Sequence, residues 1–132
     1  MICGLGTDIV ENQRIAAVYQ KHGERFLRRI FTAEEIEYAL SHINPVPYLA
    51  ARFAVKEAAV KAMNVKTGMA IGWKDIEVSG KIFGKKDLIF HGAALKRVQE
   101  LGVARQHLSL SHNDDFSMAV VILEALDTTP DP

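Results

Sequence analysis

The feature of the sequence that most constrains the fold is a long alanine-rich stretch in its middle, which we predict to be a helix over residues 47 to about 63. Residues 44–47, Asn-Pro-Val-Pro, mark its start, because proline is accommodated in the first turn of a helix, where its missing N–H costs little. At about 100° per residue, Leu49, Phe53 and Val60 share one side of this helix and are predicted to form its buried stripe. No other predicted element is as long.

The same helix carries four charged residues of interest. Glu57 is expected at the margin of the buried stripe, partly shielded from water, while Arg52 and Lys56 flank the other side. Lys61 follows Glu57 by four residues, a spacing at which a carboxylate and an ammonium group can meet. One interpretation is that Glu57 forms an ordinary salt bridge with Lys61 on a solvated face of the helix.

A second acidic residue lies near the N-terminus. Residues 2–10 are predicted to form a strand, in which Gly4 and Gly6 allow another backbone to approach closely on one side. Asp8 lies near the end of this predicted strand. A carboxylate among apolar neighbours is costly unless it is paired or bound to a metal. A turn hydrogen bond is the ordinary role of an aspartate at a strand end. Together, however, Asp8 and Glu57 offer two hard oxygen donors, which suit a divalent metal carrying a phosphate ester.

The remaining elements follow from local patterns. A helix is predicted over residues 11–19 with a break at His22-Gly23, and the capping-box spacing of Thr32 and Glu35 predicts another helix that ends near residue 41. The second half is predicted to be mainly strands, with turn residues at 113–115. These strands cover residues 75–79, 87–90, 107–112 and 116–124, and a short helix covers residues 91–101.

Composition limits the classes of function. The chain has 132 residues, 48% of them hydrophobic and 24% charged, which indicates one globular domain over residues 1–126, and we expect residues 127–132 to be a disordered tail. The formal net charge of +0 gives no global field that would favour nucleic acid or membranes. A single cysteine, Cys3, excludes an intrachain disulfide, and no targeting segment is visible, so we expect a cytoplasmic protein.

Four segments resemble motifs of one family. Residues 4–11, Gly-Leu-Gly-Thr-Asp-Ile-Val-Glu, and residues 52–62, Arg-Phe-Ala-Val-Lys-Glu-Ala-Ala-Val-Lys-Ala, resemble the two signature motifs of the holo-acyl-carrier-protein synthases. These are the small type of 4′-phosphopantetheinyl transferase. Residues 73–78 and 108–112 match further family motifs in the expected order. The resemblance implies an α+β fold with a mostly antiparallel sheet packed on one long helix, and a homotrimer whose active sites lie between subunits.

The resemblance also implies an activity. The family transfers the phosphopantetheine arm of coenzyme A to a serine of apo-acyl carrier protein, as part of fatty acid biosynthesis, and it uses Mg²⁺. Asp8 and Glu57 would be the metal ligands, and Lys61 would contact the phosphate and assist the leaving group. Arg52 and Lys56 are further candidates to balance the charge of the pyrophosphate. The proton of the carrier serine would pass to a metal-associated water or to a carboxylate beside it.

Two more groups of residues gain a role from the resemblance. His112 would lie at the nucleotide end of coenzyme A, near its 3′-phosphate, with Arg52 as its neighbour, although a histidine at a strand end is often only structural. Residues 11–31 carry five cations against Glu11 and Glu24, and in the family this region receives the acidic recognition helix of acyl carrier protein. A merely solvated helix face is the alternative. The predicted contacts to the carrier protein are Arg14, Lys21, Arg25, Phe26, Arg28 and Arg29.

The chain departs from the family pattern at two loops. Residues 64–68 have a lysine in place of the first glycine of the usual Gly-Thr-Gly loop, which affects any backbone contact that needs that glycine. Residues 84–86 have a lysine where proline is common, which affects the shape of the adenine pocket. Two rival functions remain compatible with the residues. One is a metal-dependent phosphohydrolase that uses the same carboxylates, and the other is a coenzyme A- or nucleotide-binding module that docks onto an acidic protein.

Overall fold

The computed structural model describes residues 1–65, 68–80 and 86–126. It contains five helices and five strands in these ranges. The first half consists of β1 (Ile2–Glu11), α1 (Asn12–His22), α2 (Glu24–Ile30), α3 (Ala33–Leu40) and α4 (Val46–Ala62). A turn of 3₁₀ helix at Trp73–Asp75 leads to the second half, which consists of β2 (Ile76–Ser79), β3 (Asp87–Phe90), α5 (Gly92–Glu100), β4 (Val103–His112) and β5 (Phe116–Ala125).

The predicted α+β architecture is confirmed. Strands β1, β5 and β4 form an antiparallel sheet in that order, and β2 and β3 form a separate antiparallel pair. Buried residues of α4, β2, α5 and β5 share one apolar cluster, while a second cluster lies among α1, α2, α3 and the first turns of α4. The sheet therefore packs on the long helix, as the resemblance implies, and the structure adds that α1, α2 and α3 pack on the first turns of this helix.

Gly4 and Gly6 explain how closely β1 approaches α4. A Cβ atom at Gly4 would lie 1.9 Å from the carbonyl oxygen of Ala62, and one at Gly6 would lie 1.8 Å from that of Ala58. Only glycine fits at these separations, and the facing helix residues are alanines, which keep the two backbones close. This contact fixes the position of Asp8 along α4, beside Lys61.

Two further local predictions, the capping box at the start of α3 and the turn at residues 113–115, are also confirmed. The Thr32 hydroxyl accepts from the backbone N–H of Glu35, and the Glu35 carboxylate accepts from the N–H of Thr32, which completes the predicted capping box. At the turn between β4 and β5, the side-chain oxygen of Asn113 accepts from the N–H groups of Asp115 and Phe116. The buried amide of Asn12 donates to backbone oxygens of the same turn, so the start of α1 is tied to the end of the sheet.

The predicted buried stripe of α4 is wrong in part. Leu49 is fully buried, but Phe53 and Val60 are only half-buried. The buried side is instead rich in alanine, and it includes Arg52 at 2% and Lys56 at 0% exposure. The predicted stripe includes neither cation. In the structure, Glu35 and backbone oxygens accept hydrogen bonds from Lys56, and the guanidinium of Arg52 lies against the ring of Tyr38. A separate helix, α2, follows the break at Gly23, where no helix was predicted.

Some expectations cannot be compared with the structure. The tail at 127–132 lies outside the described residues, as do residues 66 and 67 of the first atypical loop and residues 84 and 85 of the second. None of the helices in the described part of the chain combines the length and apolar character that crossing a bilayer requires.

Candidate active site

Asp8 lies on the side of β1 that faces α4. Its side chain is 16% exposed, and its Oδ1 accepts a hydrogen bond from the ammonium group of Lys61 at 3.1 Å. Lys61 also donates to the backbone oxygen of Thr7 at 2.9 Å, while about half of its own side chain stays exposed. The lysine therefore bridges helix and strand beside Asp8, rather than pairing with Glu57 as the ordinary interpretation of its spacing would have it.

Glu57 approaches Asp8 from the helix and is half-buried, as the sequence predicts. Partial burial raises the pKa of Glu57, the negative charge of Asp8 raises it further, and Lys61 opposes both effects. Two carboxylates that repel one another in a partly shielded site are the arrangement that a divalent cation relieves. The strand and the helix thus bring the two predicted ligands together.

The donor set fits a magnesium ion that shares a phosphate group. Within residues 1–65, 68–80 and 86–126, no three His, Cys, Asp or Glu side chains converge as a complete metal site. Magnesium typically takes one or two carboxylates from a protein and completes its octahedron with phosphate oxygens and water. Asp8 and Glu57 match that demand, while a closed structural metal centre would need more protein ligands.

A cavity of about 290 Å³ opens beside these carboxylates. Its polar rim includes Asp8, Glu57 and Arg14. Its apolar wall comes from β1, α1, α2 and α4 and includes Val18, Phe26 and Phe53. Two of the predicted contacts to a carrier protein, Arg14 and Phe26, therefore line the same cavity as the predicted metal ligands. Sequence reasoning did not identify Val18 or the role of Phe53, because no local pattern shows that α1 and α4 face each other here.

The predicted basic face lies on α1 and α2. All five of its cations are exposed, and Phe26 is half-buried with its ring edge-on to Phe31 at 5.9 Å. Arg28 forms an ion pair with Glu24 at 3.2 Å, with both side chains largely in water, so this pair contributes little to stability. The exposed cations are Arg14, Lys21, Arg25, Arg28 and Arg29.

Lys56 has different partners from those the sequence predicts. Its ammonium group donates to Glu35 at 2.8 Å, to the backbone oxygen of Trp73 at 3.0 Å and to the backbone oxygen of Ile76. Burial lowers the pKa of Lys56, while Glu35 acts to raise it. Its three protons are matched by these three acceptors. A direct contact between Lys56 and a phosphate stays a prediction, and it would require this buried arrangement to open.

Arg52 and His112 lie at another part of the molecule, where aromatic side chains meet. The Arg52 guanidinium is stacked over the ring of Tyr38 at 4.0 Å, and burial lowers its pKa. His112 is exposed at the end of β4, with its ring 5.3 Å from that of Tyr48. Tyr48 in turn contacts Tyr38. The two predicted nucleotide-binding residues are thus linked through a pair of tyrosines that sequence reasoning did not assign to the site.

Comparisons with known proteins show which family the chain resembles. The family model described as the 4′-phosphopantetheinyl transferase superfamily matches residues 4–121. A holo-[acyl-carrier-protein] synthase of Leptospira biflexa is 49% identical over 118 residues, which cover 89% of this chain and 93% of that protein.

Solved structures give the same result. The fold is similar to a holo-[acyl-carrier-protein] synthase from Neisseria meningitidis, with a TM-score of 0.83, 38% identity and coverage of 94% of this chain and 99% of that one. A holo-(acyl-carrier-protein) synthase from Bacillus anthracis in complex with CoA (3′,5′-ADP) gives a TM-score of 0.76 at 34% identity, covering 96% of this chain and 99% of that one. The family-model match, over residues 4–121, includes the positions of both carboxylates and of the basic face.

Proposed function

The chain belongs to the 4′-phosphopantetheinyl transferase superfamily, and we infer from this membership and from its site that it is a holo-acyl-carrier-protein synthase. It transfers the 4′-phosphopantetheine moiety of coenzyme A to a serine of apo-acyl carrier protein. A bond forms between the serine oxygen and the pantetheine-bearing phosphorus, and the bond from that phosphorus to the bridging oxygen breaks. The leaving group is adenosine 3′,5′-bisphosphate. We propose fatty acid biosynthesis in the cytoplasm as the setting of this reaction.

One observation carries the proposal most directly. Asp8 and Glu57 open into the same cavity as Arg14 and Phe26, so a phosphate-binding site adjoins a basic, partly apolar surface. A hydrolase would need only the first of these features. A transferase that acts on an acidic protein needs both, because the serine must reach the phosphorus while its protein rests on the enzyme.

We propose that Asp8 and Glu57 hold a Mg²⁺ ion. When bound, the ion would neutralise charge on the pyrophosphate and stabilise the charge that develops on the leaving phosphate. Burial and the negative charge of Asp8 raise the pKa of Glu57, and a bound cation would offset both effects, which supports this assignment.

Lys61 is proposed to bind the phosphate beside the metal. Its ammonium group already donates to Asp8 and to the backbone oxygen of Thr7, and about half of its side chain is open to solvent. It can therefore donate a third proton to a ligand while it keeps both bonds to β1. A cation at this position would orient the pyrophosphate and offset negative charge on the leaving group.

At the nucleotide end, His112 is proposed to contact the 3′-phosphate of coenzyme A. It is exposed and can donate from a ring nitrogen. Arg52 would contribute positive charge from beneath Tyr38, where burial in a low-dielectric environment strengthens its field. Lys56 would act on this end indirectly, by holding α4 against Glu35.

The basic face of α1 and α2 is proposed to receive the carrier protein. Its exposed arginines would meet acidic residues of the carrier and guide the encounter. The apolar wall formed by Val18, Phe26 and Phe53 would accept an apolar side chain next to the carrier serine. This contact would hold the serine at the edge of the metal site.

We further propose that the protein is a homotrimer with active sites between subunits. The face of the three-stranded sheet that points away from α4 carries large apolar side chains that are open to solvent. They include Leu5 at 61%, Ile9 at 66%, Phe116 at 44% and Met118 at 45% exposure. Contiguous apolar surface of this kind is typical of a protein–protein interface, and neighbouring copies of the same chain would cover it.

The decisive experiment is a mass-adduct assay. Apo-acyl carrier protein is incubated with coenzyme A, Mg²⁺ and the enzyme, and the intact carrier is then weighed by mass spectrometry. We expect the carrier to gain one phosphopantetheine and the solution to gain adenosine 3′,5′-bisphosphate. Phosphate release without an adduct would favour the hydrolase, and coenzyme A binding without turnover would favour the binding module.

Two variants connect the assay to the site. Glu57→Gln keeps the size of the side chain but removes the charge, so we expect no adduct at Mg²⁺ concentrations that saturate the wild-type enzyme. Glu37→Gln makes the same change on an exposed position of α3 and should leave the rate unchanged. Wild-type turnover in the Glu57 variant would remove this residue from the metal site.

A further inference from the structure

Three aromatic rings, those of Tyr38, His42 and His112, contact one tyrosine, Tyr48, beside the proposed nucleotide site. The ring of Tyr48 stacks face to face on that of His42, with centroids 3.5 Å apart and planes 18° apart. Its edge contacts Tyr38 at 5.9 Å and His112 at 5.3 Å. Tyr48 is thus the ring through which His112, at the end of β4, contacts the helical part of the molecule.

His42 is itself held in place. Its Nδ1 lies 2.9 Å from the backbone oxygen of Tyr38, so this nitrogen carries the proton and donates to the carbonyl. In the described part of the chain, the other ring nitrogen is buried without a hydrogen-bond partner. The imidazole therefore has one defined orientation, and its flat face fixes the plane of the Tyr48 ring.

His112 differs from His42 in having an exposed side chain at the end of its strand. An exposed imidazole samples several rotamers, and ordering it around a ligand costs free energy on binding. The edge contact with a fixed Tyr48 ring removes part of that freedom before the ligand arrives. Tyr48 thereby prepares His112 for binding without needing to touch the ligand.

We propose that Tyr48, supported by His42, is a positioning residue for His112 and so contributes to recognition of the 3′-phosphate on the nucleotide. The inference rests on the proposed function in one respect, since it takes His112 as the 3′-phosphate ligand. It predicts that Tyr48 matters for a nucleotide that bears the 3′-phosphate and much less for one that lacks it. Because the ring of Tyr48, and not its hydroxyl, contacts His112, phenylalanine at position 48 should preserve this role.

The test measures binding, so it is independent of turnover. Calorimetry gives the dissociation constants of adenosine 3′,5′-bisphosphate and of adenosine 5′-monophosphate, and their ratio reports the preference for the 3′-phosphate. We expect Tyr48→Leu to reduce this preference about two- to tenfold, which corresponds to the cost of ordering one side chain. Tyr48→Phe should keep the wild-type preference.

A double mutant shows whether Tyr48 acts through His112. His112→Ala should reduce the preference at least as much as Tyr48→Leu, and the variant with both changes should lose no more than His112→Ala alone. If the two effects instead add, Tyr48 does not act through His112 and the inference is overturned. An unchanged preference in Tyr48→Leu overturns it as well.

A matched control separates this role from a general loss of packing. Tyr19 is also half-buried and packs against the same apolar cluster as Tyr48, so Tyr19→Leu should weaken the fold without changing the preference. If His112→Ala itself leaves the preference intact, the inference falls together with the assignment of His112. The transferase function can still stand in that case, because the mass-adduct assay tests it separately.

Discussion

Gly6 is the residue at which the backbone of β1 comes nearest to α4. A methyl group there would lie 1.8 Å from the carbonyl oxygen of Ala58 and 2.9 Å from the backbone nitrogen of Ala62. Neither atom can move without distorting the helix. Asp8 follows two residues later on the same face of the strand, so any displacement of the strand at Gly6 also moves the proposed metal ligand.

Gly6→Ala should therefore reduce both stability and activity. We expect a loss of about 1–3 kcal/mol or more in the free energy of unfolding, as is usual for overpacking a close contact. Urea denaturation measures the first effect, and the adduct assay measures the second. Gly72→Ala is the matched control, because its φ is −76° and its added methyl would meet Asp75 at an ordinary 3.4 Å. Equal losses in both variants would contradict the argument from close approach.

At the scale of elements, Glu35 joins three of them. One of its oxygens accepts from the Thr32 N–H and from Lys56, and the other accepts from the N–H of Val78 on β2. The residue is 1% exposed, so removing it would leave the buried ammonium of Lys56 without its counter-charge. The pair thus aligns α3, α4 and β2 around the site.

Glu35→Ala should cost about 3–5 kcal/mol of unfolding free energy, the usual penalty for breaking a buried ion pair. Glu37→Ala, on the exposed side of the same helix, should cost no more than about 0.5 kcal/mol. Replacing Lys56 by methionine in the Glu35→Ala background should recover part of the loss, because the uncompensated charge is then gone. A double variant less stable than Glu35→Ala would show that Lys56 contributes mainly through its backbone contacts.

Glu77, in the same region, makes the stability of the fold depend on pH. Partial burial acts to raise the pKa of Glu77, but hydrogen bonds from Thr32 and His91, together with the charges of His91 and Lys56, outweigh burial and hold the pKa below its usual value. A carboxylate with a lowered pKa stabilises the fold above the ordinary range of glutamate, and the contribution is lost as the pH falls through the lowered value.

The wild-type protein should therefore lose stability between about pH 5 and about pH 3 more steeply than Glu77→Gln does. Near neutral pH the variant should be less stable by about 1–3 kcal/mol, the range for hydrogen bonds to a charged group. Thermal unfolding across this pH interval measures both quantities. Parallel profiles for the two proteins would show that Glu77 does not supply the acid sensitivity.

Glu35 also shows what the sequence could and could not predict. Its bond to Thr32 is local, three residues away, and the capping-box spacing predicts it. Its bonds to Lys56 and Val78 join residues far apart in the chain, and helical periodicity, which describes one element at a time, cannot pair Lys56 with a residue of another element. Asp8, Glu57 and the basic face could be proposed because each lies in a local motif or charge pattern. The cavity wall and the tyrosines beside His112 required the structure, because they depend on contacts between elements.

At the scale of the whole molecule, charge is balanced but unevenly distributed. The formal net charge is +0, yet α1 and α2 carry the five exposed cations of the proposed docking face. The ion pair of Arg28 with Glu24 is exposed on both sides, so an acidic carrier can replace Glu24 at little cost. Local charge, rather than net charge, would then guide the encounter.

Arg28→Glu should slow the transfer to acyl carrier protein mainly by slowing association. The effect should be large at low ionic strength and should shrink near physiological salt, where charges are screened beyond about 8 Å. Lys96→Glu reverses an exposed charge on α5 and should leave the rate nearly unchanged. Rates measured at several salt concentrations test this, and an Arg28 variant with a wild-type salt dependence would exclude this residue from docking.

The proposed trimer would form through the outer face of the sheet. Met118 on β5 pairs with Ile9 on β1, and both side chains point away from α4 into solvent. If neighbouring copies cover this face, Met118→Lys places a charge inside the interface, where desolvation makes it unfavourable. We expect this variant to become monomeric by light scattering while it keeps its helical content, and to lose activity because its sites are shared. Leu95 on α5 is exposed to a similar degree, 41% against 45%, so Leu95→Lys should remain a trimer. A monomeric wild-type protein with full activity would contradict both the trimer and the shared sites.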